Sequence, residues 1–221
     1  MIGVPVVDLS VPLNERTQTF PGDPTLRLTP HSIVAENGFN LLEVRMGSHT
    51  GTHVDAPYHV ADDGPTLDRL PLSRFVGPAV LVDATDLGAR DRILPAHLEG
   101  VLPRLGPGVI VLLHTGWSRH RDTPAYFEHP FLDATACRLL LDAGVRTIGI
   151  DAPSHDESPD GTHPGEGYPV HHLVADAQGV LCENLTNLAS IDFPDPTVSL
   201  LPIALTGTDG APVRAVAFGG R

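Results

Sequence analysis

One short window of the sequence concentrates residue types that bind divalent metals. Residues 49–59 read HTGTHVDAPYH, so that His49, His53 and Asp55 form the pattern H-x3-H-x-D and His59 follows four residues later. Imidazole and carboxylate groups together suit Zn²⁺, Mn²⁺ or Fe²⁺. A single histidine would more often be a satisfied core or loop residue. Three histidines and an aspartate in eleven residues instead predict a metal site.

The backbone that carries these residues must bend. In an extended chain His49 and His53 lie on one face but ~13 Å apart, at about 3.3 Å per residue, which is the limit for sharing one ion. Gly51 permits a bend, and Pro57 ends any regular strand ladder. A helix would bring the two histidines together but turn Asp55 away from both. The spacing therefore predicts a bent strand or a loop.

A second window offers ligands for another ion. His171 and His172 fall in a predicted helix, and Glu183 ends the predicted strand that follows it, so these side chains could converge. A carboxylate inside the apolar run VLCEN is costly to bury unless it is paired or bound to metal. A salt bridge to an arginine is the alternative for Glu183, and the spacing alone does not choose between His171 and His172.

The elements that must position these residues follow from hydrophobic patterning. Residues 1–60 contain three short extended segments, punctuated by Pro and Gly, over residues 4–9, 26–33 and 41–46. From about residue 79 strands and helices alternate, which is typical of an α/β protein. Strands are predicted over residues 79–83, 109–114, 147–151, 180–183, 198–205 and 213–218. Helices are predicted over residues 95–102, 133–143 and 170–177. No linker interrupts the pattern, so one domain is expected over residues 1–221.

Composition excludes several classes of function. The 221 residues include 14 Arg and no Lys and carry a formal net charge of −13. A P-loop lysine or a pyridoxal-phosphate Schiff base is therefore impossible, and no basic patch favours nucleic acid as a partner. No apolar run approaches the ~20 residues that span a membrane. Two cysteines, Cys137 and Cys182, without a C-x-x-C motif or a signal-peptide pattern predict a cytoplasmic location.

The ordered set of motifs resembles the metal-dependent cyclase/hydrolase family that includes bacterial kynurenine formamidase and isatin hydrolase. The similarity covers nearly the whole chain. Its segments are DLS (8–10), PGD (21–23), HTGTHVDAPYH (49–59), HTGW (114–117), HP (129–130), GIDAPS (149–154), HHL (171–173), ENLTNL (183–188) and GTDGAPVRAVA (207–217). The resemblance implies an α/β swivelling fold of the β/β/α type, a single domain with a mixed sheet, that forms a homodimer or homotetramer and acts on a small-molecule substrate.

The resemblance also implies a role for each matching residue. His49, His53 and Asp55 would hold one metal, and Asp55 would bridge to a second metal held by His171 and Glu183. This predicts one or two Zn²⁺ or Mn²⁺ ions per chain. His59 matches the family's proton-transfer residue, and an ordinary histidine pKa near ~6.5 suits general acid/base work.

The expected reaction is hydrolysis of a small amide, imide or lactone by metal-activated water, with His59 as general acid/base. A biosynthetic cyclase or dehydratase that uses the metal as a Lewis acid, and a metal-binding protein without activity, are the alternatives. Phe20 and Trp117 are predicted substrate contacts, although core packing is the other explanation for each. The resemblance to kynurenine formamidase implies W-P-G-D at a substrate-contacting position, but this chain has Phe20 in place of the tryptophan. Arg121-Asp122 likewise replaces a W-G that is often seen in the family. The substrate is therefore expected to differ.

Overall fold

The centre of the fold is a mixed sheet of nine strands, in a computed structural model that describes residues 4–219. The ends of the domain predicted over 1–221, residues 1–3 and 220–221, lie outside the described residues. The described strands are β1 (Val6–Asp8), β2 (Arg27–Ser32), β3 (Leu41–Arg45), β4 (His53–Asp55), β5 (Val76–Asp83), β6 (Arg92–Ile93), β7 (Ile110–His114), β8 (Phe131–Leu132), β9 (Thr147–Ile150), β10 (Val180–Glu183), β11 (Thr197–Ser199), β12 (Gly210–Pro212) and β13 (Val216–Phe218).

The order of strands in the large sheet is β1-β13-β11-β5-β7-β9-β10-β4-β12. The four central strands, β5, β7, β9 and β10, run parallel, and antiparallel strands extend the sheet on both sides. Strands β2 and β3 form a separate hairpin, and β6 pairs with β8. The expected α/β class and mixed sheet are therefore confirmed.

The helices are short. The α-helices are α1 (Val34–Asn37), α2 (Ala134–Asp142) and α3 (Pro169–Asp176). Single 3₁₀ turns occur at Pro57–His59, Leu67–Arg69, Leu72–Arg74, Pro95–Leu98, Leu102–Arg104, Trp117–His120, Pro124–Glu128 and Leu188–Ser190. Within the described part of the chain, no helix combines the length and apolar character needed to cross a bilayer.

Strand β7 shows why the centre of the sheet is so apolar. Val111 and Leu113 pack on one face of the sheet with buried residues of α2 and α3, whereas Ile110 and Leu112 pack on the other face. A parallel strand that is buried on both faces reads as a continuous hydrophobic run, because neither face meets water. The predicted strand–helix–strand unit is confirmed, since β7 and β9 pair in parallel around α2.

Three sequence predictions of secondary structure are wrong in extent. The helix expected over 95–102 is two 3₁₀ turns. Gly100 would destabilise the interior of a longer helix, and Pro103 cannot donate a backbone hydrogen bond. The strand expected over 198–205 ends at Ser199, and Pro202 makes only an isolated bridge to Val213. The strand expected over 213–218 is also shorter than predicted, and covers Val216–Phe218.

Candidate metal centre

The antiparallel pairing of β4 with β10 and β12 sets the positions of the predicted ligands. Within this ladder His53 lies directly opposite Glu183, and Asp55 lies two residues along β4. Residues two apart on a strand point to the same face, and directly opposite residues in an antiparallel pair are neighbours. The backbone register therefore places His53, Asp55 and Glu183 together before any ligand binds.

The first donor group comprises His49, His53 and Asp55, as predicted from their spacing. Nδ1 of His49 lies 2.7 Å from Oδ1 of Asp55, and Nε2 of His53 lies 3.2 Å from the same oxygen. Nδ1 of His53 donates to the carbonyl of Gly51 at 2.8 Å, which turns Nε2 toward the carboxylates. His49 lies in a loop and His53 on a strand, which is the bent arrangement that the sequence predicted.

The second donor group comprises Asp55, His171 and Glu183. Nε2 of His171 lies 3.7 Å from Oδ2 of Asp55 and 3.4 Å from Oε1 of Glu183. Asp55 therefore faces the two groups with different oxygens, Oδ1 toward the first and Oδ2 toward the second. Nδ1 of His171 donates to Asp156 at 2.6 Å, so Nε2 is left to face the two carboxylates.

The buried carboxylates of this cluster are stabilised by positive charge close to them. Burial alone would raise the pKa of the Asp55 carboxyl, but His53 and His49 hold that pKa well below its usual value. Burial alone would lower the pKa of His49, yet Asp55 and Asp209 raise it to about 11. Oδ2 of Asp55 is buried and has no hydrogen-bond partner among the described residues. An unpartnered buried carboxylate oxygen amid imidazole nitrogens fits a divalent cation.

A cavity of about 360 Å³ lies over the two donor groups. Four aromatic side chains, those of Phe20, Tyr126, Phe127 and Tyr168, line its wall. The rings of Phe20 and Phe127 meet edge to face, with their centroids 5.8 Å apart. The cavity therefore combines a charged floor with an apolar wall, which suits a small planar molecule.

His59 lines the same cavity at the end of the 3₁₀ turn that follows β4. Its ring centroid lies 4.1 Å from that of His49, and its side chain is 35% exposed. Burial lowers the pKa of His59 below its usual value, and the neighbouring His49 adds to this, although Asp55 opposes both. A neutral imidazole beside the donor groups can accept a proton.

Residues 7–157 match the family described as “Putative cyclase”. The chain is 35% identical to the kynurenine formamidase of Bacillus cereus over 214 residues, which cover 95% of each protein. The chain belongs to this cyclase family. Among solved structures, isatin hydrolase A from Ralstonia solanacearum superposes with a TM-score of 0.85 at 25% identity, covering 98% of this chain and 92% of that one. An isatin hydrolase bound to thioisatinate shares the fold, with a TM-score of 0.87 at 22% identity over 99% and 93% of the two chains.

Another carboxylate of this cyclase-family chain, that of Asp209, lies beside the predicted residues but was not itself predicted from the sequence. Oδ2 of Asp209 lies 2.7 Å from Nε2 of His49 and 3.6 Å from Nδ1 of His59, and these three residues form a third donor group. Asp209 directly precedes β12, and its carbonyl accepts the amide hydrogen of Ala56 at 2.7 Å. The available signal was its place within the family motif GTDG, residues 207–210.

Two further residues of the centre hold ligands in place. The backbone N–H of His155 donates to Oε1 of Glu183 at 3.1 Å, and its ring Nδ1 lies 3.2 Å from the same oxygen. Asp156 binds the ring of His171. Glu183 is thus surrounded by histidines rather than by the arginine that was the alternative, and His172 is exposed on α3.

The two predicted aromatic contacts have different positions. Phe20 lines the cavity, and its contact with a substrate stays a prediction. Trp117 lies in the hydrophobic core, only 5% exposed, and its indole N–H donates to the carbonyls of Ala125 and Tyr126. Trp117 therefore does not reach the cavity wall, and supports the segment that carries Tyr126 instead.

Proposed function

We propose that this chain is a metal-dependent hydrolase that cleaves the C–N bond of a small aryl amide or cyclic imide. The observation that carries the proposal is the pair of donor groups that share Asp55, because their other four ligands line an aromatic-walled cavity. The kynurenine formamidase of Bacillus cereus supports an N-formyl aryl amide as the type of substrate. A cyclic amide or lactone that resembles isatin is the related possibility.

The residues present fit one or two divalent cations. His49, His53 and Asp55 would hold the first, and Asp55, His171 and Glu183 would hold the second, with Zn²⁺ or Mn²⁺ as the ions that suit these donors. When bound, such an ion supplies an acidified water, of pKa near ~7, and polarises a carbonyl oxygen. The protein's part is to fix the donors, which it does through Gly51 and Asp156.

His59 is the general acid/base in this proposal. It enters the reaction neutral, accepts the proton of the attacking water, and then donates that proton to the departing nitrogen. The second transfer is needed because an unprotonated amine anion is a poor leaving group. Asp209, 3.6 Å from Nδ1 of His59, would stabilise the imidazolium that exists between the two transfers.

The planar part of the substrate would lie against Phe20 and Phe127. The edge-to-face pair of these rings offers an apolar surface opposite the charged floor. Burying one aromatic face there, while the reacting carbonyl meets the donor groups, orients the scissile bond toward His59. The substitution of Phe20 for the family's tryptophan changes the shape of this wall, which is expected to alter the substrate accepted.

A homodimer or homotetramer belongs to the same proposal. The β2–β3 hairpin exposes large apolar side chains, with Phe39 at 56%, Leu42 at 49% and Val44 at 52% of their surface accessible. A patch of this kind favours burial against another protein surface, and a second copy of this chain is the proposed partner.

The predicted cytoplasmic location is supported by the two cysteines, which are both free and buried.

A panel of N-formyl anilines, isatin, cyclic imides and lactones, each assayed with Zn²⁺ and with Mn²⁺, tests the proposed function. Turnover of an amide or imide, with a product heavier than the substrate by one water or split into acid and amine, would support it. A product lighter by one water would instead identify the cyclase or dehydratase reaction. Folded, metal-loaded protein that turns over no member of the panel would contradict the proposal.

A further inference from the structure

Asn184 has an unusual backbone conformation directly after the proposed ligand Glu183. Its φ angle is 57°, in the left-handed region that few residues other than glycine adopt. In a continuing strand, successive side chains point to opposite faces, so Asn184 would turn away from Glu183. The left-handed turn ends β10, and both side chains line the cavity.

Hydrogen bonds hold this backbone from two sides. The N–H of Asn184 donates to the carbonyl of Ala152 at 2.9 Å, and its carbonyl accepts the hydroxyl hydrogen of Thr52 at 2.6 Å. Ala152 follows β9 and Thr52 precedes β4, so Asn184 is anchored to both strands that flank β10. A left-handed residue fixed in this way at a cavity points to a functional side chain.

Tyr126 determines which end of the Asn184 amide faces the cavity. The hydroxyl of Tyr126 donates to Oδ1 of Asn184 at 2.9 Å. Arg121 lies behind it, with Cζ 6.0 Å from the centroid of the Tyr126 ring and both terminal guanidinium nitrogens buried without a partner in the described chain. A guanidinium offers no acceptor, so the O–H of Tyr126 donates to Asn184 and not to Arg121. The amide nitrogen Nδ2, which has no acceptor among residues 4–219, is left for the cavity.

We propose that Nδ2 of Asn184 donates a hydrogen bond to the carbonyl oxygen of the substrate, with Tyr126 as the residue that positions it. The inference rests on the proposed hydrolase function, since it assigns a donor to the carbonyl that is attacked. During the attack this oxygen gains negative charge, and a fixed N–H donor stabilises that charge more than it stabilises the ground state. The ligand class is therefore a planar aryl compound with a carbonyl oxygen next to the scissile C–N bond.

Asn184→Gly removes the donor and keeps the left-handed backbone, because glycine adopts it without strain. The expected result is a fall in kcat of about 10²–10³ with little change in KM, the usual effect of losing one oxyanion donor. Metal content and thermal unfolding should match the wild type. Asn187→Gly is the matched control, since Asn187 also has a φ of 57° but is exposed and donates to Asp8 outside the cavity. That control should keep wild-type kcat.

Asn184→Asp covers the case in which the glycine variant does not fold. It keeps the acceptor for Tyr126 but replaces the donor with a negative oxygen, so kcat should fall at least as far. Tyr126→Phe should lower kcat by a smaller factor, and Asn184→Gly/Tyr126→Phe should be no slower than Asn184→Gly alone, because both changes remove one function. A merely structural Tyr126 would give losses that multiply.

Wild-type kcat in folded Asn184→Gly or Asn184→Asp would overturn the inference. Failure of the proposed function is seen separately, as an inactive wild type. In that event the equilibrium binding of 2-aminobenzoate, followed by its fluorescence, replaces kcat as the measurement. A tenfold weaker affinity in Asn184→Gly than in Asn187→Gly would support the donor, and equal affinities would overturn it.

Discussion

The carboxylate of Asp156 lies 2.6 Å from Nδ1 of His171 and also accepts the backbone N–H groups of Val170 and His171. One residue thus caps the first turn of α3 and fixes the ring of a proposed ligand. Burial would lower the pKa of His171, but Asp156 and Glu183 raise it to about 10. The start of this helix and the second donor group are therefore one structural unit.

Asp156→Asn should weaken the second metal more than the first. Loss of such a partner typically costs 10–100-fold in metal affinity, because the ligand ring is no longer held by a charged acceptor. Titration of the metal-free protein, followed by metal analysis, should show one tight ion remaining at His49, His53 and Asp55. Asp176→Asn, an exposed change at the other end of α3, is the control. Unchanged affinity at both sites would contradict the role of Asp156.

His59→Ala should keep its metal and lose about 10²–10⁴ in kcat, the usual size of a general acid/base contribution. His172→Ala provides the comparison, since His172 is exposed on α3. Metal analysis of both variants decides the interpretation. Loss of metal from His59→Ala would make His59 a ligand of the third donor group. Full activity with metal bound would contradict its role as general acid/base.

The pH dependence of kcat/KM should report the neutral form of His59. Its pKa is lowered below the usual 6.5, first by burial and also by His49. The contribution of His59 to the rate should therefore be constant above pH 6.5 and be lost as the pH drops through the lowered pKa, where His59 becomes protonated. A bound cation would shift this limb further in the same direction. The same limb, with the same midpoint, in His59→Ala would argue against the assignment.

Chelation should destabilise the protein, because Asp55 and Glu183 are buried close together. A ligand that binds only the folded state at 100 times its Kd adds about 2.7 kcal/mol to the free energy of unfolding. Denaturant melts with and without Zn²⁺ should show this difference for the wild type. Asp55→Ala should lose most of it, whereas the exposed change Asp176→Asn should retain it. Equal stability of the chelated and loaded wild type would count against a metal centre.

Leu42→Asp/Val44→Asp should convert an oligomer to a monomer. Both side chains are about half exposed on the β2–β3 hairpin, where burial against a second copy would be lost on introducing charge. Light scattering coupled to gel filtration gives the mass directly. Leu72→Asp is the control, because Leu72 is 70% exposed and belongs to a 3₁₀ turn that is not part of the hairpin. A monomeric wild type would refute the proposed assembly.

The sequence was most informative where ligands are close along the chain. His49, His53 and Asp55 fall within seven residues, so their chemistry and the need for a bend could be inferred from spacing. The central strands were equally accessible, because burial on both faces leaves an unbroken apolar run such as that of β7.

The remaining parts of the centre depend on contacts between distant segments. Asp209 meets His49 across 160 positions of sequence, through the pairing of β12 with β4. No local pattern records that pairing, because β12 is three residues long and contains a proline. Trp117 was predicted to contact substrate but lies in the core. Its place in a family motif does not reveal whether an aromatic side chain faces a cavity or the core.

The position of β4 between β10 and β12 has a kinetic consequence. These three segments come from residues 53–55, 180–183 and 210–212, so the donor set is complete only when widely separated parts of the chain have paired. Such non-local pairing is slow compared with helix formation. Partly folded chains would therefore lack the assembled centre, and uptake of metal during refolding would mark the arrival of the native state.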